Sequence, residues 1–282
     1  IQKIFREHKP DWVFHAAAYK HVPLMEANPY ESIRNNVFGT KILADISVEN
    51  NVSKFVMIST DKAVNPTNVM GATKRLAEMY TQSYNHIEGI HTKFIATRFG
   101  NVLGSNGSVI PLFRKQIELG GPITITHPEI TRYFMTIPEA CELVLEAGTM
   151  GGGGEVFVFD MGESVKIIDL AKKMITLSGL TLGKDIEIKI TGLRPGEKLY
   201  EELLSNDENT LPTHHDKILI AKVNTLSHSE IEIALSDLES LIQFGSHFQI
   251  VSKLKEIIPE YLSNNSIYEN LDKELKKNKN RV

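Results

Sequence analysis

The sequence predicts an α/β fold: a doubly wound parallel sheet followed by a smaller mixed α/β section. Three observations predict it. Short apolar runs alternate with stretches long enough to be helices, the order of a parallel sheet with crossover connections. The runs are continuously apolar rather than alternating, as in strands covered on both faces. The polar residues with chemistry to offer cluster just after the runs, where the crevice of such a sheet lies.

The elements follow in order. Asp11-Trp12-Val13-Phe14-His15-Ala16-Ala17-Ala18 is an apolar run ending in small residues and reads as a buried strand. A helix is predicted from about Pro29 to Asn50, with Ile33, Val37, Ile42, Leu43 and Ile46 at three- and four-residue spacing. Lys54 to Thr60 reads as a second strand, Met70 to Glu88 as a helix, and Thr92 to Phe99 as a third strand. Their ends carry His15-Ala16-Ala17-Ala18, Ser59-Thr60-Asp61-Lys62 and Arg98-Phe99-Gly100-Asn101, so three distant clusters are expected to converge on one cleft.

After about residue 104 the pattern loosens. Ile123–Thr126 and Glu155–Asp160 read as strands, and Ile137–Gly148 and Ile167–Leu177 as helices. Gly151 to Gly154 precedes a strand and reads as a flexible turn, because phosphate-cradling glycine loops follow a strand and open a helix. Ser229–Phe244, with Ser229 as N-cap, and Ile250–Leu262 read as amphipathic helices. From Ser263 onward Asn and Lys dominate, which predicts a disordered tail. The expected organisation is 1–104 for the main sheet, 105–224 for a substrate section, 225–262 for a helical extension and 263–282 for the tail.

Composition narrows the function. Among 282 residues, 31 Lys and Arg against 35 Asp and Glu leave a net charge of −4, which offers no basic field for nucleic acid. Cys141 is the sole cysteine, so no disulfide framework and no cysteine-based metal site is expected. No run approaches the ~18 apolar residues of a membrane helix. The mixed-charge start Ile1-Gln2-Lys3-Ile4-Phe5-Arg6-Glu7 is not a signal peptide, and a cytoplasmic setting is expected.

Two clusters carry chemistry. Thr60-Asp61-Lys62 sets a carboxyl beside an amine at a strand end, which is costly unless the pair is solvated or used. Met70-Gly71-Ala72-Thr73-Lys74 then opens a helix with residues 70 and 74 on one face. A solvated loop pair and a surface lysine are the simpler readings of each alone.

Together they resemble the short-chain dehydrogenase/reductase family, where a strand ending in Ser or Thr precedes a Tyr-x-x-x-Lys helix. Here Met70 stands in the Tyr position, and a thioether exchanges no proton. The longer strings Ala17-Ala18-Tyr19-Lys20-His21-Val22-Pro23-Leu24-Met25-Glu26, Ile58-Ser59-Thr60-Asp61-Lys62-Ala63-Val64-Asn65-Pro66 and Met70-Gly71-Ala72-Thr73-Lys74-Arg75 resemble the UDP-N-acetylglucosamine 4,6-dehydratases of polysaccharide and glycan synthesis. Large membrane-anchored members of that branch carry Met at this position. Further resemblance lies in Arg98-Phe99-Gly100-Asn101-Val102-Leu103-Gly104, Arg132-Tyr133-Phe134-Met135-Thr136 and Gly192-Leu193-Arg194-Pro195-Gly196-Glu197-Lys198.

The resemblance implies a Rossmann-like sheet, NAD or NADP as cofactor and a UDP-sugar as substrate. It assigns Thr60, Asp61, Lys62, Met70 and Lys74 to the catalytic group. Asp61 would protonate the departing C6 oxygen, and Lys62, as the neutral amine, would take the C5 proton. Thr60 would assist loss of the C4 hydroxyl proton, and Lys74 would hold the cofactor ribose. It places His15, Ala16, Ala17, Lys74 and Arg98 at the cofactor, and Lys20, His21, Asn101, Arg132, Arg194 and Glu197 at the substrate. An arginine fork suits a diphosphate. No metal ligand set is expected.

In that family the sheet begins with a strand, Gly-x-x-Gly-x-x-Gly and a helix, and no such motif precedes residue 11. The chain is therefore expected to be a piece of a longer protein whose anchor and glycine loop lie outside it, with a bare sheet edge. Self-association through sheet-flanking helices is expected. A nucleotide-sugar epimerase and a catalytically silent UDP-sugar binding module are the alternatives.

Overall fold

The computed structural model describes residues 1–204, 210–223 and 226–273. Helix α1 (Gln2–His8) leads into β1 (Trp12–His15). Then come α2 (Val22–Ala27), α3 (Pro29–Ser32), a π-helical stretch Ile33–Phe38 and α4 (Gly39–Glu49), so the single predicted helix is a broken one. Next are β2 (Lys54–Ile58), α5 (Val69–Ser83) and β3 (Lys93–Arg98). The looser half runs β4 (Asn101–Val102), α6 (Val109–Glu118), β5 (Ile123–Ile125), β6 (Thr131–Arg132), β7 (Phe134–Met135), α7 (Ile137–Met150), β8 (Val156–Phe159), β9 (Val165–Lys166), α8 (Ile167–Leu177) and β10 (Ile188–Ile190). It ends with β11 (Thr210–Pro212), β12 (Ile218–Ala221), α9 (His228–Phe244) and α10 (His247–Ile257).

The main sheet has six strands in the order β1-β2-β3-β8-β12-β11. β1, β2, β3 and β8 are parallel, β12 pairs antiparallel with β8, and β11 pairs antiparallel with β12. Successive residues of a strand point to opposite faces. Phe55, Met57, Phe94 and Ala96 accordingly pack with α4, α5, α9 and α10 on one face. Val56, Ile95 and Phe157 pack with α7 on the other. Burial on both faces explains the continuous apolar runs. A separate core of Phe113, Ile123, Ile125, Ile167, Ala171 and Ile175 holds α6, α8 and the β5–β10 pair as a smaller lobe.

Three sequence expectations are corrected. The boundary at 104 does not close the main sheet, because β8, β11 and β12 complete it. Pairing across long sequence separations decides their place, and a local reading cannot see it. The N-cap of α9 is Ser227, not Ser229: its hydroxyl accepts from the Glu230 amide while the Glu230 carboxylate reaches back, a capping box.

Residues 263–273 of the tail are packed into the fold; 274–282 lie outside the described residues. Tyr268 is fully buried, and the Ser266 hydroxyl donates to Glu26 at 2.6 Å. Lys255 meets Asp272 at 2.6 Å. Two buried tyrosines, Tyr261 and Tyr268, outweigh the polar composition around them.

Every residue of α5 is buried, under α9 and α10 among others. β1 is an edge strand with Trp12 and Phe14 partly exposed, as the sequence leads one to expect. No helix among the described residues is long and apolar enough to cross a membrane.

Candidate active site

The carboxyl ends of β1, β2 and β3 open onto a cavity of about 480 Å³ between the main sheet and the smaller lobe. Its second wall is the 194–201 segment.

The loop after β2 is built tightly. Thr60 caps the 3₁₀ turn Asp61–Ala63, and its hydroxyl donates to Asp61 Oδ1 at 2.8 Å. Lys62 Nζ donates to the same oxygen at 2.9 Å and to Asn101 Oδ1 at 3.4 Å. Thr60 and Lys62 line the cavity; Asp61 is fully buried behind them, and its Oδ2 has no partner. Burial alone pushes the Lys62 ammonium down, but the Asp61 and Glu201 carboxylates outweigh it, and its pKa stands raised. Between burial and the neighbouring carboxylates, which the sequence alone does not rank, the carboxylates prevail in this site.

Helix α5 reaches the same wall because Asn68 caps it, accepting from the Gly71 amide at 2.8 Å. A Cβ at Gly71 would lie 2.1 Å from the Lys62 carbonyl oxygen, so only glycine lets the helix come this near. Met70 and Lys74, one turn apart, both line the cavity. Lys74 Nζ donates to the Ile58 carbonyl at 2.8 Å, and burial lowers its pKa to about 8.

From the smaller lobe, Arg132 points Nη2 at Glu197 Oε1 (3.5 Å) and Nε at Glu201 Oε1 (3.6 Å). Glu197 also accepts from the Arg194 amide at 3.0 Å and the Thr126 hydroxyl at 3.2 Å. It therefore shapes the Arg194 turn rather than standing free at the rim. Arg194, Lys20 and His21 are exposed at the mouth of the cavity.

The structure thus gathers Ala16, Lys20, His21, Thr60, Lys62, Met70, Lys74, Asn101, Arg132, Arg194 and Glu197 around one cavity. Three expected cofactor residues do not line it. Arg98 is fully buried, with Nε and Nη2 on the two carboxylate oxygens of Glu78 at 2.9 and 2.8 Å. It is a core ion pair facing α5, because it is the last residue of β3 and points to the helix face. His15 turns the same way and pairs Nε2 with Thr40 Oγ1 at 2.8 Å. Burial and the nearby Lys74 charge lower its pKa to about 4, so it is neutral near pH 7. Ala17 is exposed outside the cavity.

Sequence reasoning missed Glu201, whose side chain is 2% exposed and 3.3 Å from Lys62 Nζ. The pair Glu201-Glu202 just past the Gly192–Lys198 string was the available signal. The residues fit the ribose end of a nicotinamide cofactor: Lys74 is a buried ammonium held at the strand end, lining the cavity. No group of acidic, His or Cys residues among the described residues could hold a metal ion.

A family model described as "Polysaccharide biosynthesis protein" matches residues 1–223. The chain belongs to that family. Its relatives include the capsular polysaccharide biosynthesis protein CapD of Staphylococcus aureus, 60% identical over 84% of this chain and 39% of that protein. A UDP-N-acetylglucosamine 4,6-dehydratase (inverting) of Campylobacter jejuni is 41% identical over 71% of this chain and 58% of that protein. A UDP-glucose 4-epimerase of Rickettsia canadensis is 42% identical over the same shares, 71% and 58%. The chain thus spans well under two thirds of these relatives' lengths. The solved structure of Pen from Bacillus thuringiensis is 36% identical, with a TM-score of 0.69 over 80% of this chain and 75% of that one. Members of the family carry the short-chain dehydrogenase/reductase fold, and the mostly parallel sheet found here agrees with it. The names of its relatives span dehydratase and epimerase chemistry.

Proposed function

We propose that the cavity is the proton-handling half of a nucleotide-sugar 4,6-dehydratase site, with UDP-N-acetylglucosamine as substrate. The observation that carries this reading is the chain Thr60–Asp61–Lys62 in a cavity whose residue 70 is methionine. A 4,6-elimination needs an acid and a base held together. A bound nicotinamide would supply the redox chemistry, accepting hydride from C4 and returning it to C6.

The protein's part is proton transfer. Lys62 and Asp61 share a 2.9 Å hydrogen bond. Moving one proton across it yields a neutral amine and a carboxylic acid together. A ligand that excludes water favours that neutral pair. Lys62 then takes the C5 proton and returns it to C5 after C6 is reduced, while the C4 hydroxyl proton released on oxidation balances the one delivered to C6, so the net loss is one water. Asp61 is shut off from the cavity, so its proton travels through the Thr60 hydroxyl, 2.8 Å away, to the C6 oxygen that leaves as water. Lys74 would hold the cofactor ribose, and Arg132 and Arg194 would bind the diphosphate.

An epimerase is the second reading, supported by the relative at 42% identity. It needs a proton donor at position 70, and Met70 supplies none. The test is NMR of UDP-N-acetylglucosamine incubated with NAD+ or NADP+ and this chain, beside a longer chain carrying an amino-terminal glycine loop. A 4-keto-6-deoxy product, abolished by Lys62→Ala and by Asp61→Asn, is expected from the longer chain. A 4-epimer with no loss of water would transfer the reading to epimerase; normal turnover in either variant would remove the assigned roles.

A further inference from the structure

We propose that Glu201 is a positioning residue for Lys62, a second carboxylate that fixes the amine together with Asp61 and strengthens it as a base. The inference rests on the dehydratase reading only for what Lys62 does.

Glu201 Oε1 lies 3.3 Å from Lys62 Nζ, against 2.9 Å for Asp61 Oδ1. The same oxygen faces Arg132 Nε at 3.6 Å. Oε2 is buried and has no partner, although the residue lines the cavity. A fully structural carboxylate would have both oxygens satisfied.

The placement is enforced from outside. Lys198 Nζ donates to the Val64 carbonyl at 3.0 Å and to Glu202 at 3.1 Å, and Asn65 Nδ2 reaches Glu202 at 3.2 Å. These contacts staple the 198–202 segment to the loop just after Lys62. Glu201 therefore keeps its register on the amine without help from the substrate.

The charged groups facing Lys62 are Asp61 on its own loop, Glu201 on the stapled segment and Arg132 on β6; Asn101 on β4 adds a neutral acceptor. Removing Glu201's charge leaves Arg132 opposing a single carboxylate. As the C5 proton arrives, Glu201 stabilises the ammonium being formed. Asp61 cannot do this alone, because it must hold the other proton.

The experiment is competitive acylation of Lys62, read by peptide mass spectrometry across a pH series on the full chain, for wild type, Glu201→Gln and Glu201→Asp. An opposite charge within ~4–6 Å moves a pKa by roughly one to three units, so Glu201→Gln is expected to lower the Lys62 midpoint by at least about one pH unit. Glu201→Asp restores it at least in part. A midpoint unmoved by Glu201→Gln overturns the proposal, as does one lowered equally by Gln and Asp. The readout needs no turnover. A falling midpoint without any 4-keto-6-deoxy product in the longer chain defeats the dehydratase reading alone, and product with a fixed midpoint defeats Glu201's role alone. Where product forms, the acid limb of the kcat profile is expected to move to lower pH in Glu201→Gln.

Discussion

Two buried ion clusters occupy the same α/β core and differ in how completely they are satisfied. Against α5, Arg98 and Glu78 are both fully buried and meet in two parallel hydrogen bonds of 2.9 and 2.8 Å, with Arg75 adding a third contact at 3.4 Å. Arg98 and Arg75 hold the Glu78 carboxyl below the usual carboxylate range despite its burial. At the cavity, Lys62 meets Asp61 and Glu201 through single contacts, and one oxygen of each carboxylate has no partner. In the bidentate pair both carboxylate oxygens are engaged and the arginine is held in place by the fold. An incomplete cluster carries a desolvation cost that a ligand can relieve. Burial and charge alone do not separate the two; the count of unused oxygens does.

Matched carboxyl-to-amide substitutions test that distinction most severely. Asp61→Asn is expected to cut product formation in the longer chain by up to about 10⁴-fold, the upper range for a general acid. Its unfolding free energy should stay within about 1 kcal/mol of wild type, because Lys62 keeps Glu201 as a partner. Glu78→Gln leaves Arg98 charged and buried without its carboxylate, and urea unfolding should show a loss of about 3–5 kcal/mol. Equal stability losses in the two variants would erase the distinction.

Smaller effects sharpen it. Tyr268 belongs to neither cluster, yet it is fully buried and its hydroxyl donates to the Glu26 carbonyl at 3.3 Å. Tyr268→Ala should cost about 3 kcal/mol in the same assay, as for a large aromatic removed from a core. A change under 1 kcal/mol would return the tail to the disordered state its composition suggests.

His15 gives the smallest effect and a pH signature. Its pKa falls from 6.5 to about 4 on folding. Between those values the unfolded chain binds the proton and the native one does not, so stability falls as pH drops through that window and the loss levels off below it. The total is at most about 3 kcal/mol, and His15→Gln should flatten this part of the stability profile. An unchanged slope would mean that His15 charges freely in the native state.

Much of the fold was legible because strands covered on both faces are written as unbroken apolar runs. The predicted Ile167–Leu177 helix matches α8 residue for residue. The sheet's far half was not legible: β11 and β12 are short, and only their pairing with β8 makes them strands. At the site, Thr60, Lys62, Met70, Lys74, Asn101, Arg132, Arg194 and Glu197 line one cavity, while Arg98 and His15 turn the other way. A strand end offers two faces, and one residue of register decides which a side chain meets. Glu201 escaped notice because its meaning comes from Lys62, 139 positions earlier.

The C-terminal segment fastens the very turn that carries Arg194. Asn264 accepts from the Gly196 amide at 2.8 Å and donates to the Glu197 carbonyl at 3.3 Å, while Asn265 donates to the Leu193 carbonyl at 2.7 Å. The backbone of Leu262 and Asn264 is in turn anchored on Pro66 and Thr67, just ahead of α5. The 262–265 segment is thus a clasp joining the two walls of the cavity. A protease that cuts behind Leu262 would unfasten Arg194 and the α5 entrance in a single stroke, without touching a residue inside the cavity itself.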